Sequence, residues 1–344
     1  MGVGVIRRGC ASFAVAACLT LATTFVPASA QTPLKVTLDG RIEGPAAPFL
    51  LALEQGYYKA EGLEVTIEPS AGALEPITRV ASGAFDIGFG DLNALIKYRD
   101  QNPSAPVKAV FVVNNRPSYA VIGRKSRGVE DPDDLEGKKL GAPVAEHASA
   151  QWPIFAKLNR IDLAKVTIIN VGIPVREPML IAGEVDAITS SSYSTPVNLR
   201  EKGVPAEDIT VMLMAAHGLE LYGNTVFVNA KTLAEKPDAV KGFLRALTQS
   251  LKDTLKDPAN AIAPVVRRAN GVSREVELQR LLIAIQDCIV TPEVRANGLG
   301  GIDPARFETA VEQIAMGHTF KAKPKLADIF DASFLPAEAE RKLD

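Results

Sequence analysis

Apolar and polar positions along this chain switch between two periods. Short apolar runs at 34–38, 63–67 and 85–89 have the length of strands, and 107–113 is apolar at nearly every position, as a strand covered on both faces would be. Between them, 47–59, 74–82 and 92–99 carry the spacing of helices. This β-α-β-α-β order predicts a parallel sheet with helices on both faces. A second series of the same plan follows, with strands at 138–141, 166–171, 185–189 and 209–214 and helices at 149–158, 177–182 and 195–202. One more strand is expected at 224–229, after which the pattern is helical at 237–255, 260–269, 274–289 and 304–316. Two stretches would carry the chain between the modules, 114–123 outward and 220–227 back. The fold class expected is therefore α/β, two modules followed by a helical tail.

The first thirty of the 344 residues read differently. Arg7 and Arg8 head an apolar, small-residue stretch that closes on Ala28-Ser29-Ala30. That is the pattern of a secretory signal peptide cleaved after Ala30. The stretch ending at Cys18 loosely fits a lipoprotein box instead, and Arg7-Arg8 a twin-arginine signal; ordinary export is the reading adopted. The 314 residues left carry 36 Lys and Arg against 40 Asp and Glu. That mild negative balance points away from a nucleic-acid partner. Cys288 is then the one remaining cysteine, expected as a buried small residue in a helix rather than a nucleophile.

Motifs for catalysis are absent from the sequence: there is no G-x-S-x-G elbow, Walker loop or G-x-G-x-x-G. Gly88-Phe89-Gly90 follows a strand but lacks the third glycine. His147, His217 and His318 lie far apart, without the spacing of a zinc site, so neither metal nor cofactor is expected. Asp131-Pro132-Asp133 reads as a helix cap followed by proline at the first helical position. What the sequence does offer is five strand-end loops, at 39–46, 90–93, 142–152, 189–195 and 221–225. In open α/β sheets ligands sit at the carboxyl ends of strands. These loops are rich in small and hydrogen-bonding residues, which suits holding a small polar molecule.

Four segments in order carry a family resemblance: "FLLALEQGYYKAEGLEVTI", "RVASGAFDIGFGDLNALI", "DDLEGKKLGAP" and "LIAGEVDAIT". The chain resembles the nitrate/sulfonate/taurine-type (NMT1/THI5-like) solute-binding proteins of ABC importers, a group that also includes binders of the thiamine pyrimidine precursor. The resemblance runs over 34–335. It implies a type II periplasmic binding protein: two α/β lobes, 31–118 with 223–344 and 119–222, joined by a two-strand hinge around a cleft. It implies a monomer without enzymatic activity that closes on a small, anionic solute (a sulfonate, taurine, nitrate or a carboxylate) and hands it to an ABC permease and its ATPase. The alternatives are a pyrimidine precursor or aromatic acid as the solute, a sensory module, or a pyrimidine synthase. The synthases of this fold use a cysteine-rich motif and work inside the cell. Many relatives carry an aromatic residue after the first Asp of the opening loop, but here Asp39 is followed by Gly40.

Candidate ligand contacts follow from these loops. Pro45 and Pro48 suit a first helical turn, and Gly44 permits close backbone approach, so free N–H groups there would bind an anion or carbonyl, or merely start a helix. Glu43 pairs with a ligand charge or with Arg41. Asp91 reads as a helix N-cap, leaving Asn93 as donor to the ligand. Asn115 ends the apolar 107–113 strand at the suspected hinge. His147, Ser149 and Trp152 share one loop and helix start; Trp152 is either pocket wall or core. Arg176 offers a fork for carboxylate or sulfonate, or pairs with Glu177. Ser190, Ser191 and Tyr193 offer hydroxyls, and Tyr222 and Asn224 lie on the return connection.

Overall fold

A computed structural model describes residues 1–5, 31–144, 146–269 and 271–343. The proposed signal core, Cys18 and the cleavage point fall outside the described residues. No helix among the described residues is long and apolar enough to cross a membrane.

Two five-stranded sheets organise the chain. In the first, β1 (Thr32–Leu38), β2 (Leu63–Pro69) and β3 (Ile87–Asp91) are parallel, as the sequence pattern predicts. β4 (Val107–Val112) completes it, with the order β2-β1-β3-β10-β4. The expected all-parallel sheet is corrected by β10 (Asn224–Asn229), which lies between β3 and β4 and runs antiparallel to both. The second sheet contains β5 (Tyr119–Arg124), β6 (Lys139–Gly141), β7 (Thr167–Ile169), β8 (Ala187–Ser191) and β9 (Ile209–Leu213), in the order β7-β6-β8-β5-β9. β6 pairs in parallel with β7 and β8, whereas β5 is antiparallel to β8 and β9.

Chain crossing causes both reversals. The chain leaves β4 at its carboxyl end and enters the second sheet at that same face, so β5 must run away from it. β10 does the same on the return: Asn224 lies opposite Asp91, the last residue of β3. The stretch 114–123, expected to be connection throughout, is therefore half strand.

Nine helices carry the discussion: α1 (Ala47–Glu54), α2 (Leu92–Gln101), α3 (His147–Leu158), α4 (Ile173–Ala182), α5 (Thr195–Glu201), α6 (Pro237–Lys256), α7 (Arg274–Ala284), α8 (Pro292–Asn297) and α9 (Pro304–Ile314). The predicted helix 47–59 is broken at Gly56, which sits at φ 74°. The predicted 274–289 helix ends in a π-turn over Ile285–Ile289, with Cys288 fully buried in it. The Asp131 segment caps a short helix, Asp134 accepting the N–H groups of Glu130 and Asp131 at 2.9 and 3.0 Å. Gly88 and Gly90 serve packing: a Cβ on Gly88 would fall 2.2 Å from the Phe227 ring. One core cluster continues from Val107 and Phe227 through Trp152 and Phe155 of α3 to Phe307 and Ile314 of α9. The helical tail thereby braces the second sheet from behind.

Candidate functional site

The carboxyl ends of β1, β3, β6 and β8 bring Asp39, Asp91, Glu146, His147, Ser190 and Tyr193 to one region, and three adjoining cavities lie there. A cavity of about 210 Å³ is bounded by Asp39, Glu43, Pro45, Phe89, Tyr193 and Asn224. It shares Asp39, Tyr193 and Asn224 with a smaller chamber of about 110 Å³, closed on its far side by Tyr119, Glu146, His147 and Ser191. Through Glu146 and His147 that chamber adjoins an outer annex of about 480 Å³ between α2 and α3. A groove of about 920 Å³ at the end of α6 holds none of the sequence-predicted residues.

The front of α1 differs from expectation. The Gly44 N–H donates to Glu277 Oε2 at 2.6 Å, and the Ala46 N–H to the Glu43 carbonyl at 2.9 Å. Pro45 and Pro48 have no N–H to give. The turn does hold an anion, but it is the carboxylate of Glu277 from α7. Gly44 is required for that approach, since a Cβ there would lie 2.2 Å from the Glu277 carbonyl oxygen. Burial raises the Glu277 carboxyl above its usual range, against the pull of Arg280. Arg280 contacts Glu277 directly and stands 3.7 Å from Glu43. Glu43 also accepts the Ser194 hydroxyl at 2.7 Å, across the cleft, while Arg41 is largely solvated at 3.5 Å.

Arg176, expected to grip a ligand carboxylate or sulfonate, is likewise occupied. Its guanidinium is buried and paired to Glu146, with a further bond to the Thr189 carbonyl at 3.3 Å. The alternative partner, Glu177, is instead held by Lys202 at 2.6 Å and Asn198 at 2.9 Å. Ser149 shares a 2.6 Å bond with Thr189 Oγ1, and Ser190 a 2.5 Å bond with Thr195 Oγ1. The positive charge that lines the chamber is that of His147. Burial alone would depress its imidazole, but Asp91, Asp39 and Glu146 hold it up at about 9. Its Nε2 stands 3.6 Å from Asp39 Oδ2, an ion-pair rather than a hydrogen-bond distance. Asp39 also accepts Asn224 Nδ2 at 3.1 Å.

Other predicted contacts are engaged within the protein. Asp91 caps α2, accepting the Ala94 N–H at 2.7 Å, and accepts the Tyr119 hydroxyl. Asn93 gives both donors to the hinge, to Tyr222 O at 2.7 Å and Tyr119 Oη at 3.0 Å, so neither is free for a ligand. Asn115 and Tyr222 belong to a clamp around Arg306 of α9. The guanidinium donates to Asn115 O at 2.9 Å and Leu221 O at 2.8 Å, pairs with Glu293 of α8 at 2.9 Å, and lies 4.1 Å over the Tyr222 ring. One arginine thus fastens both crossing segments. Trp152 is 4 % exposed and packs on Phe155 in the core, so it does not supply the ring missing after Asp39. Phe89 and Tyr193 present aromatic surface instead. Gly40, at φ 70°, is held by its N–H to Ser70 Oγ at 3.1 Å.

Further bonds join the two lobes across the cleft: Ser192 to Asp287 at 2.7 Å, Arg280 to Asn198 at 2.5 Å and Arg200 to Gln279 at 2.9 Å. Each contributes on the order of 1 kcal/mol to holding these segments together. Asp39, Glu146, Phe89, Tyr119, Lys97 and Thr189 were not selected from the sequence. Asp39, Glu146 and Thr189 lie in loops the pattern marks; nothing local to the other three announces them. Among the described residues no group of three or more His, Cys, Asp or Glu is set to hold a metal.

Residues 45–261 match the family model described as NMT1/THI5 like. The chain is 28% identical over 242 residues to the 4-amino-5-hydroxymethyl-2-methylpyrimidine phosphate synthase of Schizosaccharomyces pombe, covering 68% of each protein. It is 23% identical over 286 residues to the formylaminopyrimidine-binding protein of Halalkalibacterium halodurans, covering 81% of this chain and 83% of that one. Among solved structures, the periplasmic aliphatic sulphonate binding protein SsuA from Escherichia coli superposes with a TM-score of 0.66 at 10% identity, over 91% of this chain and 92% of that one. The last likeness carries the fold, two α/β lobes of periplasmic binding protein type.

Proposed function

The chain belongs to the NMT1/THI5-like family, and from that premise we propose that it is the solute-binding component of an ABC importer whose solute carries nitrogen-borne hydrogen-bond donors, as an aminopyrimidine does. The expected hinge runs between lobes 31–118 with 223–344 and 119–222, the protein is exported after cleavage at Ala30, and its partners are a permease and an ATPase. The sequence reading put anionic solutes first and a pyrimidine precursor second; the chamber favours the second.

One observation carries this. The charged groups around the two inner cavities are mostly carboxylates, Asp39, Glu43 and Glu146; Arg176 and Arg280 are taken up by the protein's own acids, and Arg41, on the rim of the larger cavity, is largely solvated. A buried inorganic anion would lie among three carboxylates with the His147 imidazolium and the solvated Arg41 to offset them, a costly arrangement. An amino group or protonated ring nitrogen would find acceptors on Asp39 and Glu146, a donor on His147 and ring surface on Tyr193 and Phe89. Closure requires the solute to bind the closed form more tightly than the open one. Donors that reach Asp39 from one lobe and Glu146 from the other supply that difference.

Binding rather than catalysis is supported by Cys288, whose thiol is sealed in the π-turn and pushed well above its usual pKa by burial. A thiol in that state is a poor nucleophile. The test is calorimetric titration of the mature chain with 4-amino-5-hydroxymethyl-2-methylpyrimidine, taurine and nitrate. Binding of the pyrimidine with compaction in small-angle scattering supports the proposal; binding of taurine or nitrate but not the pyrimidine overturns it.

A further inference from the structure

The outer annex has a composition unlike the chamber behind it. At about 480 Å³ it falls in the range of small-molecule sites, whereas the chamber of about 110 Å³ does not. Its mouth is apolar on both sides: Leu74 is 53% exposed on one lobe and Val144 80% exposed on the other. Each of its acids already has a partner within the protein, and Glu146 also faces the chamber, where it can take a further donor. Glu75 pairs with Arg79 at 2.5 Å, Asp91 accepts from Ala94 and Tyr119, and Glu146 is held by Arg176. Lys97, on α2, lines the same space half-buried, and among the described residues its ammonium has no hydrogen bond or ion pair. Burial lowers its pKa, and the Asp91 carboxylate offsets that only in part.

We propose that the solute is bipartite: a donor-bearing head in the chamber at Asp39, Glu146 and His147, and an apolar body in the annex that ends in an acceptor or anionic group on Lys97. This rests on the reading of the chamber given above. An apolar body removes Leu74 and Val144 from water, at roughly 25 cal/mol per Å² covered. A terminal carboxylate gives Lys97 the charge-assisted bond it lacks. Lys97 is then the residue that separates long solutes from short ones.

The test uses three probes on the mature chain: 4-amino-5-hydroxymethyl-2-methylpyrimidine, its acetate ester and its hemiadipate ester, the last adding an apolar chain and a terminal carboxylate. The hemiadipate is expected to bind at least tenfold more tightly than the parent, with the acetate between them. Lys97→Met is expected to bring the hemiadipate down to the affinity of the acetate and leave parent affinity unchanged. Ala150→Trp, an exposed position on α3 at the annex wall, is expected to weaken both esters and spare the parent, which guards against a folding defect in the lysine variant. Parent binding with no gain from either ester, or with a hemiadipate gain that Lys97→Met leaves intact, overturns the bipartite solute while the chamber reading stands. Failure of all three probes to bind overturns both.

Discussion

Replacing Arg176 by methionine separates the two roles that guanidinium could have. Its side chain is 9% exposed and that of Glu146 15%, so the pair is nearly removed from water. Breaking such a pair from one side leaves an uncompensated carboxylate, which costs about 3–5 kcal/mol. The Thr189 carbonyl loses a donor as well. For a domain of this size each kcal/mol moves the melting temperature by about 2–4 °C. A loss of about 3 kcal/mol therefore means a fall of about 6–12 °C in calorimetry, with a matching shift of the urea midpoint. The cycle closes with Glu146→Gln: alone it strands the arginine, but in the Arg176→Met background it removes the stranded charge. The double variant should recover at least half of the lost stability. If Arg176→Met instead melts with the parent and loses affinity for taurine or nitrate, the arginine serves an anionic ligand and the charge account of the chamber is refuted.

Three further outcomes follow from the same contacts. Gly44→Ala puts a methyl against the Glu277 carbonyl and disturbs the Gly44–Glu277 bond, so urea denaturation should show a loss of about 1–3 kcal/mol. His147 has a folded pKa of about 9, raised from 6.5, so its stabilising contribution is complete below about pH 6.5 and is lost as pH rises to 9; melting temperature should decline across that window, and His147→Gln should flatten the decline. Arg306→Met removes the bonds to Asn115 O and Leu221 O and should lower stability by about 2–4 kcal/mol. The same variant should raise the radius of gyration of the unliganded protein in small-angle scattering.

The layout of strands was legible because β3 and β4 are buried along nearly their whole length and show as apolar runs, while β2 alternates buried and exposed residues. The reversals at β5 and β10 were not. They depend on the face at which the chain crosses between sheets, which no local pattern encodes. Tyr119–Arg124 passed for connection because its flanking polar residues, Asn114 to Ser118, dominate the window. In the site, position was easier to read than partnership. Asp91 was placed as a cap from the residues beside it, a local interaction. For Arg176 and the front of α1 the sequence leaves a ligand and a protein partner both open, because the partners they have, Glu146 and Glu277, stand 30 and 233 residues away. A guanidinium or a glycine turn looks available in sequence until the fold brings a carboxylate to it. The clamp at Arg306 was invisible for the same reason, although Tyr222 and Asn115 had both been marked as hinge residues.

The central claim is that the chamber selects a solute by the donors it offers to Asp39 and Glu146. The most direct measurement is native mass spectrometry of the protein as purified from the periplasm, followed by release and identification of whatever is bound. The account predicts a stoichiometric small molecule with an amino-bearing or protonated nitrogen heterocycle. A stoichiometric nitrate, or a sulfonate without such a nitrogen, would contradict it.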